Sequence, residues 1–309
     1  MTVIDDLTDL KFSADTVVTS GTFDGVHIGH QRILRDISEK ASKSGMKSVV
    51  VTFWPHPRFV LGKNKDLKLL STFEEKALLI EQNHIDYLVK IPFTKEFSEV
   101  TSEKFIKDII VNKINTKKLV IGYDHKFGKN REGGFEYLKD NSNRYGFEVE
   151  EISRQDIDDV GVSSTKIREA LELGDVGVAN SFLGRKYAIS GFVKEGDKIG
   201  RSIGFPTANI DVPDLYKLIP DDGAYAVQVE VQNQIKMGMM NIGVRPTVSG
   251  EERRIEVNIF DFNKDIYNER LKISFHSLLR KEKKFESIDA LKKQLEKDKI
   301  QAIKILENE

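Results

Sequence analysis

Cysteine is absent from this 309-residue chain. Disulfide bonds, thiolate nucleophiles and cysteine-ligated zinc or iron–sulfur centres are thereby excluded, and the composition fits a reducing cytosol. Net charge is missing as well: 48 Lys and Arg stand against 49 Asp and Glu, leaving -1. That balance gives no global attraction to nucleic acid or to an anionic membrane, so phosphorylated ligands have to be caught by local arrangements. No apolar run approaches the roughly 18 residues of a membrane span. The opening residues carry Asp5, Asp6 and Asp9 without a basic region or an apolar core, so no signal peptide is expected. What is present is length enough for two domains of ordinary size, each burying its own core.

The stretch Gly21-Thr22-Phe23-Asp24-Gly25-Val26-His27-Ile28-Gly29-His30 follows the β-branched run 16–19 and precedes a helical pattern with Ile33, Leu34, Ile37 and Ala41 apolar. It reads as a strand, a glycine turn and a helix start. Glycines let the backbone approach a ligand closely, while the unpaired N–H groups and positive dipole end of the helix favour an anion such as phosphate. His27 and His30 add donors beside that anion; a capping histidine next to a packed one is the alternative.

Further strand-like runs at 47–54 (KSVVVTFW), 87–93, 118–124 and 147–152 alternate with helical patterns at 73–82, 101–114 and 136–145. Such alternation predicts a parallel sheet with helices on both faces and ligands at the carboxyl ends of its strands. Within 101–114, Glu103 and Lys107 are spaced for an i,i+4 ion pair. His27, His30, His56 and His125 all follow predicted strands and should converge on one crevice. A histidine zinc site competes with that reading, but no i,i+4 histidine pair or carboxylate ligand motif accompanies them.

Val162-Ser163-Ser164-Thr165-Lys166-Ile167-Arg168 offers hydroxyls that can cap a helix, and that helix start can hold a phosphate with Arg168 one turn in. From Leu183 the texture changes. Short strands at 187–193, 224–231, 235–241, 255–261 and 271–275, without helices between them, suggest a small antiparallel barrel. The tail 287–306, with Ile288, Leu291, Leu295, Ile300, Ile303 and Ile305 apolar, permits an amphipathic helix packed on it. Between the first barrel strands, Gly196, Gly200 and Gly204 flank Lys198 and Arg201 in a loop suited to phosphates. A hinge fits the same composition, and the lysine followed by Ser or Thr of a Walker loop is missing.

These segments resemble known signatures. His27-Ile28-Gly29-His30 is similar to the HxGH signature of the nucleotidyltransferase superfamily, and 162–168 resembles its ISSTxIR signature. The segments 52–57 (TFWPHP) and 122–128 (GYDHKFG) resemble the TFxPHP and GxDFRFG segments of bacterial FAD synthetases, with His125 and Lys126 where that family usually has Phe and Arg. Lysine keeps the charge of arginine without its planar fork. The run 200–209 is similar to the GRxxGFPTAN signature of riboflavin kinases, and 240–247 resembles their NIGxRPT segment. The strand 255–262 resembles ExHxxDF, with Asn258 in place of histidine, and 280–285 resembles RxExxF. Together the resemblance is to the bifunctional riboflavin kinase/FMN adenylyltransferase family and covers nearly the whole chain.

The resemblance implies an α/β protein: a Rossmann-like nucleotidyltransferase domain with a parallel sheet over 1–183, then a small antiparallel riboflavin kinase-like β-barrel with a terminal helix over 184–309. It implies phosphorylation of riboflavin to FMN and adenylylation of FMN to FAD, with ATP and Mg2+, in the cytoplasm, and small molecules as partners rather than nucleic acid or membrane. By the same resemblance His27 and His30 stabilise charge on the phosphates during adenylyl transfer. Gly21, Phe23, Asp24, Gly29, Ser164, Thr165 and Arg168 fall on the ATP side of that site, and His56, Asp124 and Phe127 on the FMN side. In the barrel, Gly196, Lys198, Gly200 and Arg201 would hold ATP phosphates, Thr207 and Asn209 the Mg2+, and Arg280 and Phe285 the flavin. Glu256 would take the proton from the ribityl hydroxyl. Rival readings are a chain retaining one step only, which the departures at His125, Lys126 and Asn258 suggest, and a flavin- or nucleotide-sensing protein without turnover.

Overall fold

Runs of β-branched residues supply the strands of the first half, because their stiff side chains suit a pleated, buried surface. The computed structural model of the chain describes residues 1–62, 66–122, 126–152, 161–196, 200, 203–247 and 250–308. Its contacts separate two units, Met1–Ser164 and Thr165–Glu309.

The first unit holds β1 (Thr2–Ile4), β2 (Thr16–Ser20), β3 (Lys47–Trp54), β4 (Tyr87–Pro92), β5 (Thr116–Gly122) and β6 (Glu148–Ile152). They form one sheet in the order β1-β4-β3-β2-β5-β6. Every pairing is parallel. From β2 the chain builds outward through β3 and β4 on one side, then through β5 and β6 on the other. The switch point therefore lies between β2 and β5, where the crevice outside the carboxyl ends of such strands takes ligands.

Successive residues of β2 serve opposite faces. Val17 packs with Val50, Leu88 and Val120 beneath Ile33, Leu34 and Ile37 of the Ile28–Ser44 helix. Val18 packs with Val49, Val89 and Leu119 against Phe105, Ile106 and Leu138. Burial on both faces explains the continuous apolar runs.

Two local expectations are corrected. The 101–114 segment is a short α-helical turn, Ser102–Lys104, that passes into a π-helix over Phe105–Val111. Bonds such as Asn112 N to Lys107 O at 3.0 Å skip five residues. Residues four apart then no longer stack, and Glu103 pairs with Arg144 at 2.8 Å instead of with Lys107. The strand expected at 118–124 begins earlier, at Thr116, and is described as far as Gly122; 123 and 124 lie outside the described residues.

In the second unit β7 (Tyr187–Lys194), β8 (Ala208–Asp211), β9 (Gly223–Val231), β10 (Gln234–Thr247), β11 (Gly250–Ile259) and β12 (Arg270–Lys281) close an antiparallel barrel ordered β10-β11-β8-β7-β12-β9. Gln232 and Asn233, at φ 49 and 59, make the tight left-handed turn of the β9–β10 hairpin. The helices Ser164–Glu172 and Val176–Leu183 pack with this unit: Asp221 N donates to Leu171 O at 2.9 Å, and Asn180 Nδ2 to Phe275 O at 2.9 Å.

The terminal helix, Ile288–Glu307, is capped by Ser287, whose Oγ accepts from Ala290 N at 3.1 Å. Its packed stripe, with Ala302 and Leu306 buried and Leu295 and Ile303 half-buried, is set against Phe205, Met239 and Phe260. Ile288 and Ile300, expected on that stripe, are 63% and 70% exposed. Arg280 Nε donates to Asp298 Oδ2 at 2.9 Å, and Gln294 Nε2 to Asp298 Oδ1 at 2.7 Å, which fastens the helix to β12. Asp298 is 2% exposed, so removing it leaves a largely buried guanidinium without its counter-charge. Asp298→Ala should destabilise the barrel unit by about 3 kcal/mol, read as a lowered calorimetric transition; an unchanged transition would contradict this.

Candidate active sites

The sheet delivers the histidine turn to its switch point. Gly21 N donates to Val51 O at 3.0 Å as β2 ends, and the turn then takes left-handed backbone at Phe23 (φ 49), Gly25 (φ 77) and Val26 (φ 38). Glycine suits this geometry at 25, where a Cβ would also meet Leu70 Cδ1 at 2.7 Å. A valine does not, since a β-branched residue at positive φ is strained by about 1–3 kcal/mol.

The surroundings hold that strain. The Asp24 carboxylate is 4% exposed and accepts from Leu70 N at 3.0 Å and Ser71 N at 3.2 Å. Ser71 Oγ accepts from Gly25 N at 3.1 Å. Ser164, distant in sequence, donates from Oγ to Asp24 O at 3.0 Å, so the start of the second signature meets the first. Thr165 and Arg168 follow on the same helix, with Arg168 8% exposed.

His27 is the N-cap of the Ile28–Ser44 helix, its Nδ1 accepting from His30 N at 3.4 Å. That bond puts the proton of a neutral imidazole on Nε2. The His27 and His30 rings stack at 3.7 Å between centroids, and Phe23 lies edge-on to His30 at 5.1 Å. His27 thus caps the helix, as the alternative reading had it, and also stacks on His30. Two stacked imidazoles stand beside a helix start with Gly29 buried in its first turn, a kind of helix start that can hold an anion.

His56 leaves the carboxyl end of β3 and is buried, its Nδ1 accepting from Arg58 N at 3.2 Å. Phe127 is 8% exposed and packs on Phe105 at 5.7 Å, inside the sheet's second core. Asp124 and His125 lie outside the described residues, as do Lys198 and Arg201 of the barrel loop.

One residue escaped the sequence reading. Lys76, on the Phe73–Glu81 helix, is 3% exposed. Its Nζ donates to Thr22 O at 3.1 Å and Thr52 Oγ1 at 3.1 Å. Burial pulls its pKa down to about 8, against an opposing pull from Asp24. The available signal was a lysine on the apolar 73/76/77/80 face of an amphipathic helix.

In the barrel, β8 and β11 bring distant residues into register, with Glu256 opposite Asn209. Thr207 Oγ1 donates to Glu256 Oε2 at 3.5 Å. Gly196 faces Asn209, and Gly200 faces the Phe205 carbonyl and Thr207, both so closely that a Cβ would collide. A cleft of about 230 Å³ opens beside them, lined by Lys194, Gly196, Asn209, Arg253 and Arg254 among others. Asn258, the departure from histidine, is 7% exposed and donates from Nδ2 to Pro206 O at 2.6 Å. It thus supports the strand entry that carries Thr207. Arg280 is engaged by Asp298 and stacks over Phe285 at 5.4 Å. Burial pushes the neighbouring Glu282 carboxyl above its ordinary range.

A carboxylate beside a hydroxyl and an amide can accept a proton and hold a hard cation, while the first unit offers phosphate donors in place of a base. The fold and its two sites define a two-domain transferase acting on nucleotide phosphates. A family model described as FAD synthetase matches residues 9–166, and one described as riboflavin kinase matches residues 183–306. The bifunctional riboflavin kinase/FMN adenylyltransferase of Bacillus subtilis (strain 168) is 39% identical over 301 residues, 96% of this chain and 94% of its own length. That of Haemophilus influenzae is 40% identical over 284 residues, 91% of each chain. A solved Streptococcus pneumoniae structure described as a macrolide-efflux protein matches with a TM-score of 0.86 at 34% identity, over 96% of this chain and 97% of that one. This chain belongs to the bifunctional riboflavin kinase/FMN adenylyltransferase family. The efflux description is that other chain's; among the described residues here, no helix is long and apolar enough to cross a membrane.

Asp24→Asn would keep one oxygen to accept from Leu70 and Ser71 N–H, but would set an amide donor where Oδ2 faces Leu70 N and remove the charge that strengthens the clamp. It should cost the first unit about 2 kcal/mol, seen as an earlier urea transition of Trp54 fluorescence, and an unmoved transition would contradict the clamp.

Proposed function

We infer that the chain makes FAD from riboflavin in two ATP-dependent steps, phosphorylation to FMN in the barrel unit and adenylylation in the parallel-sheet unit. The support is the meeting of distant segments in each unit, Thr207 with Glu256 in one and Ser164 with the Asp24 turn in the other.

In the barrel, Glu256 takes the proton of the ribityl hydroxyl as that oxygen attacks the γ-phosphorus of ATP and the bond to the β-phosphate breaks, releasing ADP. Gly196, Lys198, Gly200 and Arg201 cradle the phosphates, and Arg280 and Phe285 face the flavin. The hydroxyl of Thr207 and amide oxygen of Asn209 are hard donors that would hold Mg2+, which when bound neutralises charge on the transferring phosphates.

Adenylylation needs no base, since its nucleophile is an FMN phosphate already ionised near neutral pH. The phosphate oxygen attacks the α-phosphorus, and pyrophosphate leaves. Here the difficulty is repulsion between polyanions, which His27, His30, Arg168 and the helix starts at Ile28 and Ser164 absorb. Gly21, Phe23, Asp24, Gly29 and Thr165 shape the ATP side; His56 and Asp124 form the FMN side, while Phe127, expected there too, is packed into the core with Phe105. We place both steps in the cytoplasm, which a cysteine-free composition suits.

Purified protein given riboflavin and Mg-ATP should yield FMN and then FAD by chromatography; neither product appearing would refute the reading. Glu256→Gln should lower phosphorylation by about 10²-fold or more while still adenylylating supplied FMN. His30→Ala should accumulate FMN, with adenylylation down by about 10²-fold. Loss of both steps in either variant would contradict separate sites.

A further inference from the structure

The Lys76 ammonium is buried against neutral acceptors. Besides the bonds to Thr22 O and Thr52 Oγ1, its surroundings are the Trp54 ring at 5.2 Å and the Phe73 ring at 5.5 Å. Burying an ammonium this way is expensive, and a helix that needed only to pack would carry a leucine or methionine there. The carbonyl it grips lies immediately before Phe23, where the backbone enters the left-handed region at φ 49. Thr52 Oγ1 also donates to Thr22 O, at 3.3 Å. Asp24 anchors the middle of the turn through Leu70 and Ser71; Lys76 anchors its beginning. Beyond the turn stands His27, which starts the helix bearing His30.

We propose that Lys76 is a positioning residue for adenylyl transfer: by holding the Thr22 carbonyl it sets the path along which the turn presents His27 and the helix start to the ATP phosphates. This rests on the adenylylation assigned above to the same turn. A protonated amine is a charge-assisted donor, roughly twice as strong as a neutral one, so the grip depends on the proton. Among the described residues, few charged groups face Lys76. Asp24 on the turn favours its charged form, while Lys90 on β4 reaches the same Phe73 ring at 4.8 Å. Glu75, on its own helix, is held by Thr72 N at 3.0 Å.

The sign of the pH effect separates positioning from stability. The folded protein loses the Lys76 proton near pH 8, whereas an ordinary lysine keeps it to 10.5. Between those values the unfolded chain binds more protons, so this group's own contribution to stability rises with pH. Loss of activity through the same interval is therefore not a stability effect of Lys76 itself, and the melting temperature separates it from unfolding driven by other groups.

The test uses the full-length chain, with kcat and KM for both steps measured from roughly pH 6 to 10, and the melting temperature followed alongside. Wild-type adenylylation should show kcat falling through an apparent pKa near 8 with KM little changed, while riboflavin phosphorylation lacks that limb. Lys76→Met should lower adenylylation kcat by roughly 10²-fold and abolish the limb, with phosphorylation intact as the internal control. Lys76→Arg, whose charge persists, should move the limb to higher pH. The proposal is overturned by a Lys76→Met protein with wild-type adenylylation, by a limb that survives in Lys76→Met or Lys76→Arg unmoved, by its absence from the wild type, or by a limb that follows loss of folded protein. A wild type that makes no FAD from FMN would instead strike the functional reading.

Discussion

The grip of backbone amides on the Asp24 carboxylate is the interaction on which the first unit's nucleotide turn depends. Phe23, Gly25 and Val26 all sit at positive φ, and for Val26 that conformation is unfavourable in isolation. Leu70 N, Ser71 N and Ser164 Oγ meet the turn from segments far away in sequence. The strain is thus offset by tertiary bonds that exist only once the sheet has formed. In return, His27 and the start of its helix stand at the switch point between β2 and β5, where the parallel sheet opens.

The two units answer different chemical problems with different materials. In the barrel a neutral alcohol has to become a nucleophile, and β8 meets β11 so that a carboxylate lies beside a hydroxyl and an amide. In the sheet unit the nucleophile is already an anion, and what is gathered is donors: stacked imidazoles, helix starts and hydroxyls. A chain with net charge -1 offers no general pull on phosphates, so recognition has to be local.

Much of this was legible in the residues. The Gly21–His30 stretch and the Ser164 segment stand out through their residue types and spacing, Glu256 only through the resemblance of its strand to riboflavin kinases, and the parallel sheet through long runs of valine and isoleucine buried on both faces. What stayed hidden depends on contacts between segments. The side chain of Asp24 looks like one more turn residue until Leu70 and Ser71 are seen to donate to it. β8 is four residues within a glycine-rich loop and pairs only through β7 and β11. Ile300 belongs to an apolar pattern, yet the helix turns it outward because Leu295, Ala302 and Leu306 define the packed face. The π-helix at Phe105–Val111 follows no spacing that sets it apart from an ordinary helix in the residues.

The central claim is that one polypeptide breaks two different bonds of ATP at two places. Following phosphorus label from ATP into the flavin products tests it most directly. Label at the γ-position should appear in FMN and pass unchanged into FAD, whereas label at the α-position should be absent from FMN and enter only FAD. Label from the α-position in FMN, or FAD that carries none of it, would contradict the account.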